Sequence, residues 1–76
     1  MINIKKTKDG WVVYQSRSFR RFHTHTKFYR VAKKIKWYVN NRIIPIGENK
    51  EIIKSCKRIA IDEDYIKQLN KILKEE

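Results

Sequence analysis

An Asp-Gly pair at positions 9 and 10 constrains the fold more than any other short feature of this chain. It lies between two runs with strand character, "INIKKT", which begins with alternating apolar and polar residues, and "WVVYQ", which is mostly apolar. Asp-Gly between two such runs is a strong predictor of a β-hairpin, because glycine accepts the positive φ that tight hairpin turns require. The sequence therefore predicts two antiparallel strands at the start of this chain.

The length of the hairpin loop decides which side chains share a face of the sheet. A two-residue turn at positions 9 and 10 places Ile4 opposite Gln15, whereas a three-residue loop over 8–10 places Ile4 opposite Tyr14 and Ile2 opposite Ser16. The three-residue loop is preferred because it gathers four apolar side chains on one face. These are Ile2, Ile4, Val12 and Tyr14.

A third strand is predicted over residues 18–26, "SFRRFHTHT", with Arg17 and Ser18 at the turn before it. Side chains of a strand alternate between its two faces. One face then holds Phe22, Thr24 and Thr26, and the other holds Arg21, His23 and His25. Phe22 is expected to face the core.

A long amphipathic helix is predicted after Thr26, whose hydroxyl is suited to cap the first turn. Apolar residues follow at the spacing of one helical face. They are Phe28, Val31, Ala32, Ile35 and Val39. The helix is expected to stop by about Ile44, because Pro45 has no N–H group and disfavours helical geometry in the residue before it.

Two shorter helices are predicted in the rest of the chain. The first presents Ile52, Ile53, Cys56 and Ile59 on one side. Asp62 is expected to cap the second, with acids in its first turn and an apolar stripe of Tyr65 or Ile66, Leu69 and Leu73. The predicted fold is thus a single α+β domain over residues 1–76: a β-hairpin, a third antiparallel strand, one long amphipathic helix and two short C-terminal helices.

The small size of the chain limits how much surface folding can bury. A domain of 76 residues buries only about 60–65% of its unfolded surface, and a disulfide, a metal or a second copy in a homodimer would add stability.

There is one cysteine, so no internal disulfide forms, which favours a reducing, cytoplasmic setting. No secretion signal is recognised, and the longest uncharged run, over residues 10–16, is far shorter than a membrane helix needs. No membrane partner is expected.

Basic residues dominate the chain, which has a net charge of +11 at pH 7. No Asp or Glu occurs between Asp9 and Glu48, a span with nine basic residues, while residues 62–76 have a net charge of −2. Such asymmetry indicates a polyanionic partner for the basic part of the molecule. Nucleic acid is the partner that so basic a composition favours.

The "HTHT" segment raises the question of a metal site, since His23 and His25 point to the same side of a strand. Structural zinc takes four protein ligands and catalytic zinc takes three with a water molecule. Cys56 is the only other soft ligand, so neither a metal nor a cofactor is predicted. The two histidines are either plain exposed residues of the sheet or join Arg21 on an anion-facing surface.

Trp37 lies about 180° from Phe28 on the helical wheel and so falls on the face of Arg30, Lys33 and Lys34. An exposed tryptophan among cations is suited to stacking on nucleic-acid bases. The alternative is that the C-terminal helices cover it, and the sequence leaves both open.

In the preferred register, Trp11 shares a sheet face with Lys5, Val13, Gln15 and Arg17, to which the third strand adds its basic residues. Arginine can read guanine and glutamine can read adenine at base edges. The residues predicted to bind nucleic acid, from the sheet, the turn and the helix, are Lys5, Trp11, Gln15, Arg17, Arg20, Arg21, His23, His25, Arg30, Lys33, Lys34 and Trp37.

The order of three strands and a helix, with a basic sheet face, is carried by "KDGWVVYQ", "RRFHT" and "TKFYRVAKK". This layout resembles the plant ethylene-response DNA-binding domain and the arm-site-binding domains of phage and transposon integrases, over about half of the chain. The resemblance implies DNA binding. A second layout, strand 19–26 and helices 27–41 and 48–60, resembles ribbon-helix-helix repressors, but the preceding hairpin and the "NNRIIPI" connection depart from that pattern.

Enzyme signatures are absent from the sequence, since Gly10 and Gly47 form no phosphate-binding loop and no Ser, His and acid arrangement is recognisable. We expect a small basic protein that binds nucleic acid, DNA first, mainly through phosphates. The excess of isoleucine over leucine is typical of AT-rich coding sequences and fits a phage or mobile-element accessory protein. The competing hypothesis is a protein-interaction module that docks an acidic partner without nucleic acid.

Overall fold

The computed structural model describes residues 1–17 and 22–75. It contains six elements in the order β1 (Ile2–Thr7), β2 (Gly10–Gln15), β3 (His23–Thr26), α1 (Tyr29–Asn41), α2 (Lys50–Ile59) and α3 (Glu63–Glu75). The predicted α+β arrangement is confirmed, although α3 is as long as α1. None of the helices in these described ranges has the length and apolar character that crossing a bilayer requires.

The three strands form one antiparallel sheet in the order β1-β2-β3, and its register differs from both predicted ones. Ile4 pairs with Val13, and Thr7 pairs with Gly10, so the turn consists of Lys8 and Asp9. Gly10 is the first residue of β2 and has a φ of 151°. A Cβ there would overlap the carbonyl oxygen of Thr26 at the end of β3, so the close approach of a neighbouring strand requires this glycine.

This register places different side chains on the two faces than predicted, because paired residues of antiparallel strands share a face. The face covered by the helices presents Ile2, Ile4, Lys6, Trp11, Val13, Gln15, Thr24 and Thr26. The opposite face presents Asn3, Lys5, Val12, Tyr14, His23 and His25. The predicted grouping of Val12 and Tyr14 with the isoleucines is therefore wrong, whereas the separation of the β3 threonines from the histidines is confirmed.

Helix α1 begins two residues later than the Thr26 cap predicted. Its N-cap is Phe28, and the Thr26 Oγ1 accepts a hydrogen bond from the Phe28 N–H at 3.3 Å. Because Phe28 has extended backbone outside the helix, its side chain leaves the apolar stripe and is 64% exposed, which corrects its assignment to the core. Ala32, Ile35 and Val39 are buried as predicted.

The end of α1 uses a residue in the left-handed region. Arg42 has a φ of 53°, and the Ile43 N–H donates to the Tyr38 carbonyl at 2.9 Å, as in a Schellman motif. The helix therefore ends at Asn41, before the limit that Pro45 imposes.

Helices α2 and α3 follow the predicted patterns closely. The Asn49 side chain caps α2 by accepting from the Ile52 N–H at 3.0 Å, and all four predicted core residues of α2 are buried. Asp62 caps α3 as predicted, with its Oδ1 accepting from the Tyr65 N–H at 3.2 Å. Tyr65 and Leu69 are buried, and α3 packs against α2.

The core lies between the sheet and the pair α1 and α2. Gln15 is buried within it, and its Nε2 donates to the Ile59 carbonyl at 3.0 Å while its Oε1 accepts from the N-terminal amine at 3.3 Å. A buried amide is tolerated there because both of its polar atoms are paired. Gln15 thus joins the sheet to the end of α2.

Candidate nucleic-acid interface

The outward side of α1 brings together four predicted binding residues. Arg30, Lys33, Lys34 and Trp37 are all exposed. On a helical wheel they fall within an arc of about 100°, opposite the buried stripe. Trp37 is 53% exposed, so α2 and α3 leave it accessible to solvent. This resolves the alternative left open by the sequence in favour of an exposed ring.

One cation of this surface has an acidic neighbour. The Lys34 Nζ lies 3.4 Å from the Glu48 Oε1, and the Glu48 Oε2 accepts a hydrogen bond from the Tyr38 hydroxyl at 2.9 Å. That hydrogen bond raises the pKa of Tyr38. Within the described ranges, Arg30 and Lys33 make no ion pair, so their charges are available to an anion.

A groove runs between the outward side of α1 and β1, one of the two edge strands of the sheet. Its lining comprises Ile4, Tyr29, Lys33, Lys36, Trp37, Asn40 and Asn41. Asn40 holds the two elements together, since its Oδ1 accepts from the Ile2 N–H at 2.9 Å and its Nδ2 donates to the Ile2 carbonyl at 3.4 Å. A single amide side chain thereby occupies one position along the open edge of β1.

Two aromatic rings with a lysine at each end lie beside this groove, and the ring and the lysine at one end, Tyr29 and Lys33, line it. The rings of Trp11 and Tyr29 lie 4.6 Å apart between centroids. The Lys6 Nζ is 5.3 Å from the centre of the Trp11 ring, and the Lys33 Nζ is 5.6 Å from that of Tyr29. Both distances are within the range of cation–π interactions.

Sequence reasoning missed Tyr29 and the neighbouring groove residues Lys36 and Asn40. Together with Lys33 they recur at the i, i+4, i+7 and i+11 positions of α1, on the flank beside the buried stripe. That spacing was available in the sequence. Only the register of the sheet, however, brings Ile4 of β1 alongside them.

The predicted basic sheet face is divided by the observed register. Trp11 and Gln15 lie on the helix-covered face instead, and the Gln15 amide, 8% exposed and bonded at both atoms, is not available to read a base. Lys5, His23 and His25 do share the opposite face, where the two imidazole rings meet edge to face at 5.2 Å. Val12 lies between Lys5 and His25 on that face.

Among the remaining predicted residues, the structure describes one, which follows β2. Arg17 is exposed. Arg20 and Arg21 fall outside the described residues. The sheet face that the structure describes therefore holds fewer cations than the outward side of α1.

No cluster of three or more His, Cys, Asp or Glu residues that could hold a metal occurs in the part of the chain that the structure describes. Cys56, the other soft ligand, is buried in the core on α2, and burial raises the pKa of its thiol to about 12. A buried neutral thiol is a poor nucleophile and a poor metal ligand.

The predicted binding residues thus divide between two surfaces of the molecule, the outward side of α1 with its groove and the sheet face turned away from the helices. The first has more exposed cations and an exposed tryptophan. Comparisons with protein-family models, with curated proteins and with solved structures give no match to this chain.

Proposed function

We propose that this protein binds nucleic acid, with DNA as the expected form, and that phosphate contacts from α1 supply most of the affinity. The observation that supports the proposal most directly is the exposed, acid-poor outward side of α1, where Arg30 and Lys33 have no acidic partner among the described residues. The proposed activity is binding without catalysis. The proposal also includes a cytoplasmic location for the protein and a role as an accessory protein of a phage or mobile element.

The physical basis of this proposal is the release of counterions from the nucleic-acid backbone. Each phosphate that a lysine or arginine neutralises frees condensed cations, so the binding constant falls linearly on a log–log plot against salt. Exposed lysines and arginines on a helix reach phosphates without distorting the fold. The opposite sheet face offers phosphates a second and weaker contact through Lys5, His23 and His25.

Salt dependence of duplex binding tests the proposal. With about six phosphates neutralised, the slope of log K against log salt is expected near −5, measured by anisotropy of a labelled duplex. The double variant Arg30→Ala/Lys33→Ala is expected to reduce the magnitude of that slope by about 2. Its matched control is Lys67→Ala/Lys71→Ala, which removes the same charge from exposed positions of α3.

Three outcomes would contradict the proposal. The first is the absence of binding to any duplex or single strand at low salt. The second is equal or tighter binding to an acidic polypeptide of matched charge, which would favour the protein-interaction module. The third is a larger loss of DNA affinity in the α3 control than in the α1 variant, which would place the phosphate contacts on α3.

A further inference from the structure

The groove beside Trp37 combines an apolar floor, aromatic walls and a basic rim. Ile4 is half-buried at its base, Tyr29 and Trp37 form walls, and Lys33 and Lys36 stand at the rim. Among the described residues that line the groove, none is acidic. Its chemistry therefore suits a flat, apolar group that has negative charge attached to it.

Contacts within the protein hold the walls of this groove in place. Trp11 packs against the ring of Tyr29, and the Trp37 ring meets Tyr38 edge to face, with 5.2 Å between centroids. The Asn41 Nδ2 donates to the Trp37 carbonyl at 2.8 Å. A wall that is already ordered loses little conformational entropy when a ligand binds, which favours affinity.

Resting on the proposed function and deepening it, we infer that the groove binds a single-stranded segment, with one unpaired base stacked on Trp37 and the adjoining phosphates on Lys33 and Lys36. The bases of a continuous duplex stack on one another and present only their edges in the grooves. The face of an exposed tryptophan can stack only on a base that has left such a stack. The groove consequently selects unpaired bases, whereas the outer cations accept any phosphate backbone.

The cations and the ring lie at a spacing that suits this arrangement. Lys33 and Trp37 are four residues apart on α1, so they are neighbours separated by about 6 Å of helix rise, and Lys36 is adjacent to the ring on the side of β1. Both lysines therefore lie on the groove side of Trp37, where the backbone of a nucleotide stacked on the ring can run. Lys33 also lies over the ring of Tyr29, which keeps its ammonium group close to the groove.

Three DNAs of the same sequence test this inference: a single strand, a continuous duplex and a duplex with a short single-stranded gap. The protein is expected to bind the single strand and the gapped duplex more tightly than the continuous duplex. Trp37→Ala is expected to weaken single-strand binding roughly ten- to a hundredfold and duplex binding less than about threefold. Trp37→Phe retains a stacking ring and is expected to restore most of the lost affinity.

Phe28→Ala is the matched control, because Phe28 is an exposed aromatic residue next to α1 that does not line the groove. It is expected to leave all three affinities unchanged. Urea unfolding of each variant checks that the fold is intact. A Trp11→Phe variant keeps Trp37 as the only tryptophan, and its fluorescence is expected to be quenched by the single strand and not by the continuous duplex.

The possible failures are distinguishable. Equal weakening of single-strand and duplex binding by Trp37→Ala, or no fluorescence quenching by a single strand that binds, would overturn the inference and leave the proposed function standing. Failure of the unaltered protein to bind any of the three DNAs at low salt would overturn the proposed function and the inference together.

Discussion

Both glycines of this protein have a positive φ, and replacing each by alanine is expected to cost a different amount of unfolding free energy. A Cβ at Gly10 would overlap the Thr26 carbonyl oxygen and lie 2.9 Å from the Lys27 Cα, whereas a Cβ at Gly47 would meet nothing within 4 Å. Gly47→Ala is expected to cost about 1 kcal/mol of unfolding free energy from backbone strain alone. Gly10→Ala adds overpacking against backbone and is expected to cost about 3 kcal/mol or more.

Chemical denaturation of both glycine variants, with the native chain measured alongside, tests this prediction. Equal losses would show that the end of β3 does not press against Gly10.

The sequence identifies Gly10 as conformationally special, and the Asp-Gly rule explains the glycine by turn geometry. The close approach of Thr26 is the actual cause, and it depends on a contact with a strand that the local sequence does not contain.

Trp37 and Phe28 show which single-residue properties periodicity can predict. The position of Trp37 opposite the buried stripe follows from the 100° step between residues within a helix, whereas its exposure also depends on where α2 and α3 pack. The exposure of Phe28 depends on where the helix begins, and helix boundaries vary by one or two residues for reasons that propensity does not determine. Its assignment to the core was therefore wrong.

The C-terminus of α1 is an element whose stability a single change is expected to raise. Arg42 adopts the left-handed conformation that glycine takes without steric cost, and its ion pair with Asp62, 3.6 Å between Nε and Oδ2, is largely exposed. Arg42→Gly is expected to raise the unfolding free energy by about 0.5–1 kcal/mol. Asn41→Gly, one residue earlier inside the helix, is expected to lower it.

Thermal and urea unfolding of these two variants give the comparison. A loss of stability in Arg42→Gly would mean that the pair with Asp62 outweighs the backbone strain. Such a result would mean that the ion pair at the junction between α1 and α3 contributes more to the unfolding free energy than its solvent exposure suggests.

The helices were easier to predict than the sheet, because the apolar pattern of a helix repeats over several turns and that of a short strand does not. The buried stripe of α2 repeats over several turns, so one misplaced residue does not change its direction. Strand β2 contains "WVVY", four apolar or aromatic residues in a row, and alternation cannot decide which of Val12 and Val13 faces the helices. A difference of one residue in the register then moved Trp11 and Gln15 to the covered face. On α1, the exposed positions of Arg30, Lys33, Lys34 and Trp37 were predicted and the groove residues Tyr29, Lys36 and Asn40 were missed, whereas most of the predicted sheet face was wrong.

For the whole molecule, the buried thiol and phenol of the core predict a loss of stability in alkali. Burial raises the pKa of Cys56 from 9.0 to about 12 and raises that of Tyr65 above its usual 10. Between pH 9 and 12 the unfolded chain releases protons that the folded chain retains, so the unfolding free energy falls as the pH rises. Below pH 9 both states hold these protons, and neither group contributes to the pH dependence.

Urea unfolding at several pH values between 7 and 11 measures this effect. Cys56→Ala is expected to reduce the alkaline slope, even though it lowers stability at every pH by leaving a small cavity. An unchanged slope in that variant would show that the thiol is not the group responsible. A thiol reagent at pH 8 offers an independent check, since Cys56 is expected to react only as fast as the fold opens.

The position of α3 has a consequence for how quickly a partner is found. Its first turn holds Glu63 and Asp64, and Asp62 just before it pairs with Arg42, the residue that follows α1. Arg42 comes nine residues after Lys33, which corresponds to about 14 Å of helix rise and more than one Debye length in physiological salt, so these acids only weakly offset the charges of Arg30 and Lys33. In the field of a polyanion the protein therefore experiences a torque that turns α1 forward, and a larger share of diffusional encounters becomes productive. Reversing the charges of the first turn of α3 would raise the total rate of encounter with a polyanion, because the net positive charge increases, while it removes the preferred orientation of α1.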